Sequence, residues 1–294
     1  MKLSIITINY NNAEGLRKTL ASVAAQTYRD IEHIIVDGGS TDGSVDIIRD
    51  YESDNHSSVH PLTIVWSSKK DKGIYNGMNI GIQRATGDYI QILNSGDLLA
   101  APDVTERMMA ALEAQNDEMS RTDVLNEPLS LNDEVAILYG NMIKKDYTTG
   151  KIIGKSREVE YSLRQYYSST MNHDCCFIRR DIYEKYGLYD ENLKIVSDWK
   201  WFLQAIGLGH VKPIYVDIDV TIFDASGISE MNLKLRNQER RQVLEELLPP
   251  AILADYDAHA FEIEQVNRLR RRHLYGLVYF IDRVLFKLEK WKIL

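Results

Sequence analysis

Short β-branched runs alternate with amphipathic stretches from residue 3 to about residue 100, and that alternation is the sequence form of parallel strands joined by crossover helices. Leu3 to Ile8 reads as a buried strand, and Asn12 is placed to cap a helix carrying Leu16, Leu20, Val23 and Ala24 at helical spacing. Ile31 to Val36 is the next strand. The run Gly38-Gly39-Ser40-Thr41-Asp42-Gly43 then turns the chain into a helix holding Val45, Ile47 and Ile48. A strand over Leu62 to Trp66, a helix over Ile74 to Arg84, a strand over Tyr89 to Leu93 and a helix over Asp103 to Ala114 continue the pattern. The expected class is α/β, with a mainly parallel, twisted sheet flanked by helices.

Residues 115–134 hold six acidic residues, one Arg and one Pro without a sustained apolar period, and read as a surface excursion. Strand signals return at Ala136 to Tyr139 and around Lys151 to Ile153. A helix follows near Ser162 to Tyr167, and Phe177 to Ile178 precedes a helix capped by Asp181. Ile214 to Ile222 reads as the last strand, and Glu230 to Leu294 as helical except at Pro249-Pro250. The expected organisation is a main domain over 1–225, with halves 1–100 and 135–225, and a helical extension over 226–294.

Thirty-five Lys+Arg against 43 Asp+Glu give a net charge of −8, so no overall basic field draws in nucleic acid, and none is expected as a partner. The two cysteines, Cys175 and Cys176, are adjacent, a spacing that suits neither an internal staple nor a metal quartet; a reducing cytoplasm fits best. No window approaches the roughly 20 apolar residues that span a bilayer. The apolar start of the chain is too short and too soon interrupted for a signal-peptide core.

In an open parallel sheet, ligands bind beyond the carboxyl ends of the strands, where loops and helix N-termini converge. Here Thr7 and Asn9, Asp37, and Asn94 with Asp97 fall at successive strand ends, which makes one sheet edge rich in acceptors and acids. Any one of them alone is most simply a turn or cap residue. Neither Gly-x-Gly-x-x-Gly after the first strand nor Gly-x-x-x-x-Gly-Lys-Ser/Thr occurs, so dehydrogenase and P-loop readings lose their main support.

Five short motifs occur in order: Ser4 to Asn11 (SIITINYN), Val36 to Ser44 (VDGGSTDGS), Asp71 to Gly81 (DKGIYNGMNIG), Ala85 to Asp88 (ATGD) and Leu93 to Asp97 (LNSGD). Together they resemble the family 2 glycosyltransferases over about residues 1 to 225. The resemblance implies the GT-A fold, a nucleotide-sugar donor of the UDP-sugar type, a divalent metal (Mn²⁺ or Mg²⁺) and an inverting transfer to a glycan or lipid-linked acceptor. Carried over residue by residue, it implies a nucleotide site of Thr7, Asn9, Asp37, Asp71, Gly73 and Asn79, with Asp37 accepting from the base at uracil N3. It places Asp97 on the metal, with the neutral Asn94 where the family's first acid stands, and Asn76 where close relatives carry Asp. Met171 to Arg180 (MNHDCCFIRR) resembles the family's His-Gln-x-x-Phe segment with Asp174 in place of Gln, and Asp198 matches the catalytic base. His173 reads either as a satisfied core residue or as a contact to metal, diphosphate or acceptor; Trp199, beside Asp198, is a further candidate contact.

From Arg268 to Leu294 there are eight Lys/Arg and two acids, net +6, around apolar residues at helical spacing, the composition of an interfacial helix. The expectation is a cytoplasmic protein with peripheral contact to an anionic membrane face; packing of this helix on protein is the competing reading. Two other functions stay open at this point. A non-catalytic nucleotide-binding scaffold is kept alive by Asn76 and Asn94. A nucleotidyltransferase would need a lysine-bearing first loop, which Asn9 to Gly15 lacks.

Overall fold

The computed structural model describes residues 1–123, 134–146, 149–224 and 232–290. It divides into two compact units, Met1–Arg240 and Arg241–Leu294. The first unit opens as the sequence pattern predicts. Strand β1 (Leu3–Asn9) leads to helix α1 (Ala13–Ala24), β2 (Ile31–Asp37) to α2 (Ser44–His56), β3 (Thr63–Ser68) to α3 (Ile74–Arg84), and β4 (Tyr89–Ile92) closes the series. β1 and β2 are buried along their whole length, which is why their apolar residues do not simply alternate with polar ones, and Ser4, Thr7, Glu32 and His33 are buried with them. Asn12 caps α1, its side chain accepting from the Gly15 amide.

β2 and β4 both pair with β1 in parallel, and β3 pairs with β2 in parallel. The order β3-β2-β1-β4 therefore reverses direction between β1 and β4, the switch point beside which doubly wound sheets open a crevice. α3 packs on the Ile6 and Ile8 face so closely that a Cβ on Gly81 would lie 2.3 Å from Ile6 Cγ2. Leu16 and Leu20 of α1 and Ile48 of α2 pack with Ile35 on the other face.

Past β4 the sheet becomes mixed. β5 (Leu98–Leu99), α4 (Val104–Asp123), β6 (Ile137–Lys145), β7 (Ile152–Lys155), α5 (Leu163–Ser168), β8 (Cys176–Arg179), α6 (Arg180–Tyr186), α7 (Ser197–Phe202) and β9 (Ile214–Asp224) follow. The sheet order is completed as β4-β8-β6-β9-β5, with β7 on β6. β8 is antiparallel to both β4 and β6. Helices α8 (Leu233–Leu247), α9 (Pro250–Arg271) and α10 (Tyr275–Lys290) end the described chain.

Three local expectations change. The helix expected to stop at Ala114 runs on to Asp123, because Met119 still packs on the core and Asn116 Oδ1 accepts from the Val135 amide at 2.8 Å; the rest of the expected excursion, 124–133, lies outside the described residues. Asp181 does not cap α6: the cap position is Arg179, and Asp181 sits within the first turn, paired with the Arg179 guanidinium at 2.7 Å. The C-terminal helices break at Pro249-Pro250 as expected, Pro250 opening α9. They break again at 272–274, where His273 takes a positive φ of 55°.

Candidate active site

The carboxyl ends of β1, β2 and β3 meet at Asp37. Its Oδ1 accepts from Asn9 Nδ2 at 2.8 Å and Ser40 Oγ at 2.5 Å, and its Oδ2 from Ser68 Oγ at 2.6 Å and from the Ser40 and Gly39 amides. Burial alone would raise this carboxyl's pKa, but the Ser40 and Ser68 hydroxyls outweigh it and hold the pKa below the ordinary value. Asp37 is thus a charged acceptor that shapes the Gly38–Ser40 turn, and a base at N3 would have to displace one of its hydroxyl partners. Asn9 Oδ1, beside it, is buried with no partner among the described residues. Thr7 lies on the same face of β1, its hydroxyl 3.0 Å from His33 Nε2; burial pushes that imidazole down to about 3, so it stays neutral.

The glycines of the β2 loop let a second loop approach. A Cβ on Gly38 would lie 2.9 Å from Asp71 Oδ2, and one on Gly39, at φ +84°, 3.0 Å from the Lys70 amide nitrogen. Asp71 Oδ1 accepts from the Gly73 amide at 2.9 Å, and Gly73 enters α3 at φ +123°. Asn79 faces another way. Its amide donates to Tyr189 O at 2.9 Å and Glu191 Oε1 at 3.0 Å, while Tyr189 N donates to its Oδ1. Asn76 donates to Glu191 Oε2 at 3.0 Å. Both asparagines therefore dock the 187–191 turn on α3.

The turn after β4 is held by α1: Asn12 Nδ2 donates to Ser95 O at 2.9 Å, and the Thr19 hydroxyl donates to Asp97 O at 2.8 Å. This places Asn94 and Asp97 opposite the one-turn 3₁₀ helix His173–Cys175. His173 Nδ1 lies 3.1 Å from Asp198 Oδ2, its Nε2 lies 3.2 Å from Asn94 Nδ2, and the Tyr75 hydroxyl donates to Asp198 Oδ1 at 3.0 Å. A single chain of contacts thus runs Asn94–His173–Asp198–Tyr75, joining four segments far apart in sequence. With one ring proton on Nδ1, the imidazole donates to Asp198 and accepts from Asn94, which satisfies every contact in the chain.

Burial disfavours charge on both members of the central pair, yet each stabilises the other's ion. His173 sits above the ordinary imidazole value because Asp198 outweighs burial, and Asp198 below the ordinary carboxylate value because His173 does. His173 and Asp198 border a cavity of about 200 Å³ that Asp97, Lys144, Arg236 and Arg240 also line. Trp199 lines it too, buried to 1 %, its Nε1 donating to Tyr166 O at 2.6 Å and its ring lying 4.9 Å under the Arg240 guanidinium. Sequence reasoning singled out Asp97, His173, Asp198 and Trp199 but gave no role to Tyr75, Arg236 or Arg240. Their only signal was their residue type, since the contacts that matter span up to 123 positions.

Among the described residues, no group of three or more His, Cys, Asp or Glu could hold a metal by itself. A hard cation that takes one or two protein oxygens and completes its shell from phosphates and water does not need such a group. Asp97 on the cavity wall and Asn94 Oδ1, buried without a partner among the described residues, are oxygen donors of the right kind.

A mixed α/β sheet that is parallel through β3-β2-β1-β4, with acids gathered at its carboxyl edge, is the GT-A architecture. Solved structures with this fold include TarS of S. aureus in complex with UDP-GlcNAc, at a TM-score of 0.60 and 18 % identity over 83 % of this chain and 64 % of that one. The mannosyltransferase PcManGT of Pyrobaculum calidifontis, in complex with GDP-Man and Mn2+, matches at a TM-score of 0.56 and 18 % identity over 83 % of this chain and 63 % of its own. This chain thus spans somewhat less than two thirds of each of those chains. An uncharacterised glycosyltransferase of Mycobacterium tuberculosis is 29 % identical over 232 residues, 77 % of this chain and 76 % of the relative. The profile of the family described as "Glycosyl transferase family 2" matches residues 4–187, and the chain belongs to that family. That match ends before Asp198.

Proposed function

We propose that the protein is an inverting glycosyltransferase that moves a sugar from a UDP-sugar to a hydroxyl of a glycan or lipid-linked acceptor in surface-polysaccharide assembly. The observation that carries this reading is the Asn94–His173–Asp198–Tyr75 chain, which holds an ionised carboxylate at the wall of the cavity that Asp97 also borders. Asp198 takes the proton from the acceptor hydroxyl as its oxygen bonds to the anomeric carbon, and the bond from that carbon to the diphosphate breaks with its electrons on the phosphate oxygen. Tyr75 and His173 fix the direction of the Asp198 lone pairs. Thr7, Asn9, Asp37, Asp71 and Gly73 line the nucleotide side, where the unpartnered Asn9 Oδ1 offers an acceptor to the base; Asn79 acts there by docking the 187–191 turn. Asp97 and Asn94 would hold Mn²⁺ or Mg²⁺, which neutralises charge on the departing diphosphate when bound. Release of UDP from a panel of UDP-sugars in Mn²⁺, with and without EDTA, tests the proposal: metal-dependent turnover is expected. UDP binding with no turnover for any donor and acceptor would favour a non-catalytic scaffold.

We also infer that residues 268–294 contact an anionic membrane surface. On α10, Phe280, Phe286 and Leu277 are 65 %, 63 % and 57 % exposed, and Ile281 and Val284 are exposed beside them. With a net charge of +6 from Arg268 to Leu294, anionic lipid is the complementary partner. No helix among the described residues is long and apolar enough to cross a membrane, so the contact would be peripheral. Cosedimentation with phosphatidylserine vesicles should be lost on deleting 268–294, and undiminished binding would end the idea.

A further inference from the structure

Two cations on the cavity wall have no part in the reaction as described so far. Arg236 and Arg240 stand one turn apart on α8, a spacing at which like charges repel. Among the described residues, Nε of each is buried with no hydrogen-bond partner, and neither guanidinium pairs with a carboxylate. Two of the three acids that share the cavity are committed elsewhere, Asp198 to His173 and Tyr75 and Asp174 to the Thr221 hydroxyl at 2.5 Å, and the third, Asp97, lies in the turn after β4. Arg240 is anchored, donating to Ser168 O at 3.1 Å and stacking on Trp199, so its charge stays at the wall. Burial, then the neighbouring Arg236 charge, pulls the Arg240 pKa below its ordinary value, and the Asp198 charge offsets only part of this. Two half-buried arginines whose buried Nε atoms have no partner among the described residues present spare donors that match a tetrahedral phosphate.

We propose that Arg236 and Arg240 form a phosphate-binding subsite on the acceptor side of the cavity, so that the acceptor carries a phosphate or phosphodiester close to the hydroxyl that is glycosylated. The assignment to the acceptor rests on the glycosyl-transfer reading above. Arg240 lies over Trp199, the neighbour of Asp198, and the group that receives the proton faces the acceptor. The donor diphosphate belongs instead at the β4 end, with Asp97, Asn94 and a cation.

The test is calorimetric titration of the full chain, saturated with UDP and Mg²⁺, with inorganic phosphate as the probe. Phosphate should bind, and Arg236→Gln should weaken it roughly tenfold, the loss of one charge-assisted hydrogen bond. Arg236→Lys should recover part of the loss, and UDP affinity should not change in either variant. Arg240→Gln should weaken phosphate as well; should it fail to fold, having lost its contacts to Ser168 and Trp199, the Arg236 variants decide alone. Absence of phosphate binding to the UDP-saturated wild type would overturn the proposal. So would displacement of phosphate by UDP together with loss of UDP affinity in Arg236→Gln, which would give the pair to the donor diphosphate. Phosphate binding at the pair by a chain that binds no UDP would overturn the glycosyl-transfer reading, and the acceptor assignment with it.

Discussion

Replacing Asp198 by Asn removes the proton acceptor while leaving the surrounding shape intact. Asp198 and His173 are each 18 % exposed at the side chain, and every contact in their chain is 3.0–3.2 Å long. An asparagine at 198 still accepts from Tyr75 through its oxygen. Its amide then donates to His173 Nδ1, which moves the ring proton to Nε2 and sets it against the Asn94 amide. Asn94 answers by turning over, which brings its otherwise unpartnered Oδ1 onto that proton. The chain stays hydrogen-bonded, and what is lost is the charge assistance of one contact, about 1 kcal/mol, together with Asn94 Oδ1 as a donor to the cation, which leaves Asp97 to hold it. Loss of the general base should by contrast cost about 10²–10⁴ in kcat, or about 3–5 kcal/mol of barrier. The assay is UDP release under saturating donor, with UDP affinity and thermal midpoint measured on the same preparations. An Asp198→Asn enzyme with native affinity, a native midpoint and a kcat within about tenfold of wild type would refute the assignment.

His173 supplies a pH test of the same pair. Its folded-state pKa lies above the ordinary 6.5, so its stabilising contribution is complete below 6.5 and is lost as pH rises through the folded value. The wild-type thermal midpoint should therefore fall across the window just above pH 6.5 relative to His173→Gln, and equal slopes would count against the pairing. Asp37→Asn removes the charge that five donors converge on, and UDP affinity measured by titration should drop about ten- to hundredfold. Gly81→Ala drives a methyl into Ile6 on a fully buried strand. Overpacking of about 1–3 kcal/mol exceeds the roughly 1 kcal/mol regained from helix propensity, and chemical denaturation should show a net loss.

How far the chain could be read without its tertiary structure depends on the range of the interactions involved. The buried runs of β1 and β2, the Asn12 cap, the Gly38-Gly39 turn and the proline break before α9 are local, because backbone dihedrals and a few neighbouring side chains decide them. From those units follows the collection of Thr7, Asn9, Asp37, Asn94 and Asp97 at one sheet edge, since parallel strands with crossover helices point their carboxyl ends the same way. The length of α4 was not legible, because its second half is polar and is kept helical by Met119 and Asn116 meeting partners on the core and on Val135. Nor was the insertion of β8, antiparallel, between β4 and β6. Strand order among such runs is a matter of packing and loop closure, which no local period encodes. The central pair shows the division most clearly. The family resemblance marked Asp198 as the base and left His173 between a core residue and a ligand contact, but only the fold sets them 3.1 Å apart, hangs Tyr75 on the second oxygen and turns two arginines from α8 toward the same cavity. Residue identity determines which charges and donors exist; their pKa values and partners arise from burial and distance, which appear only when remote segments meet.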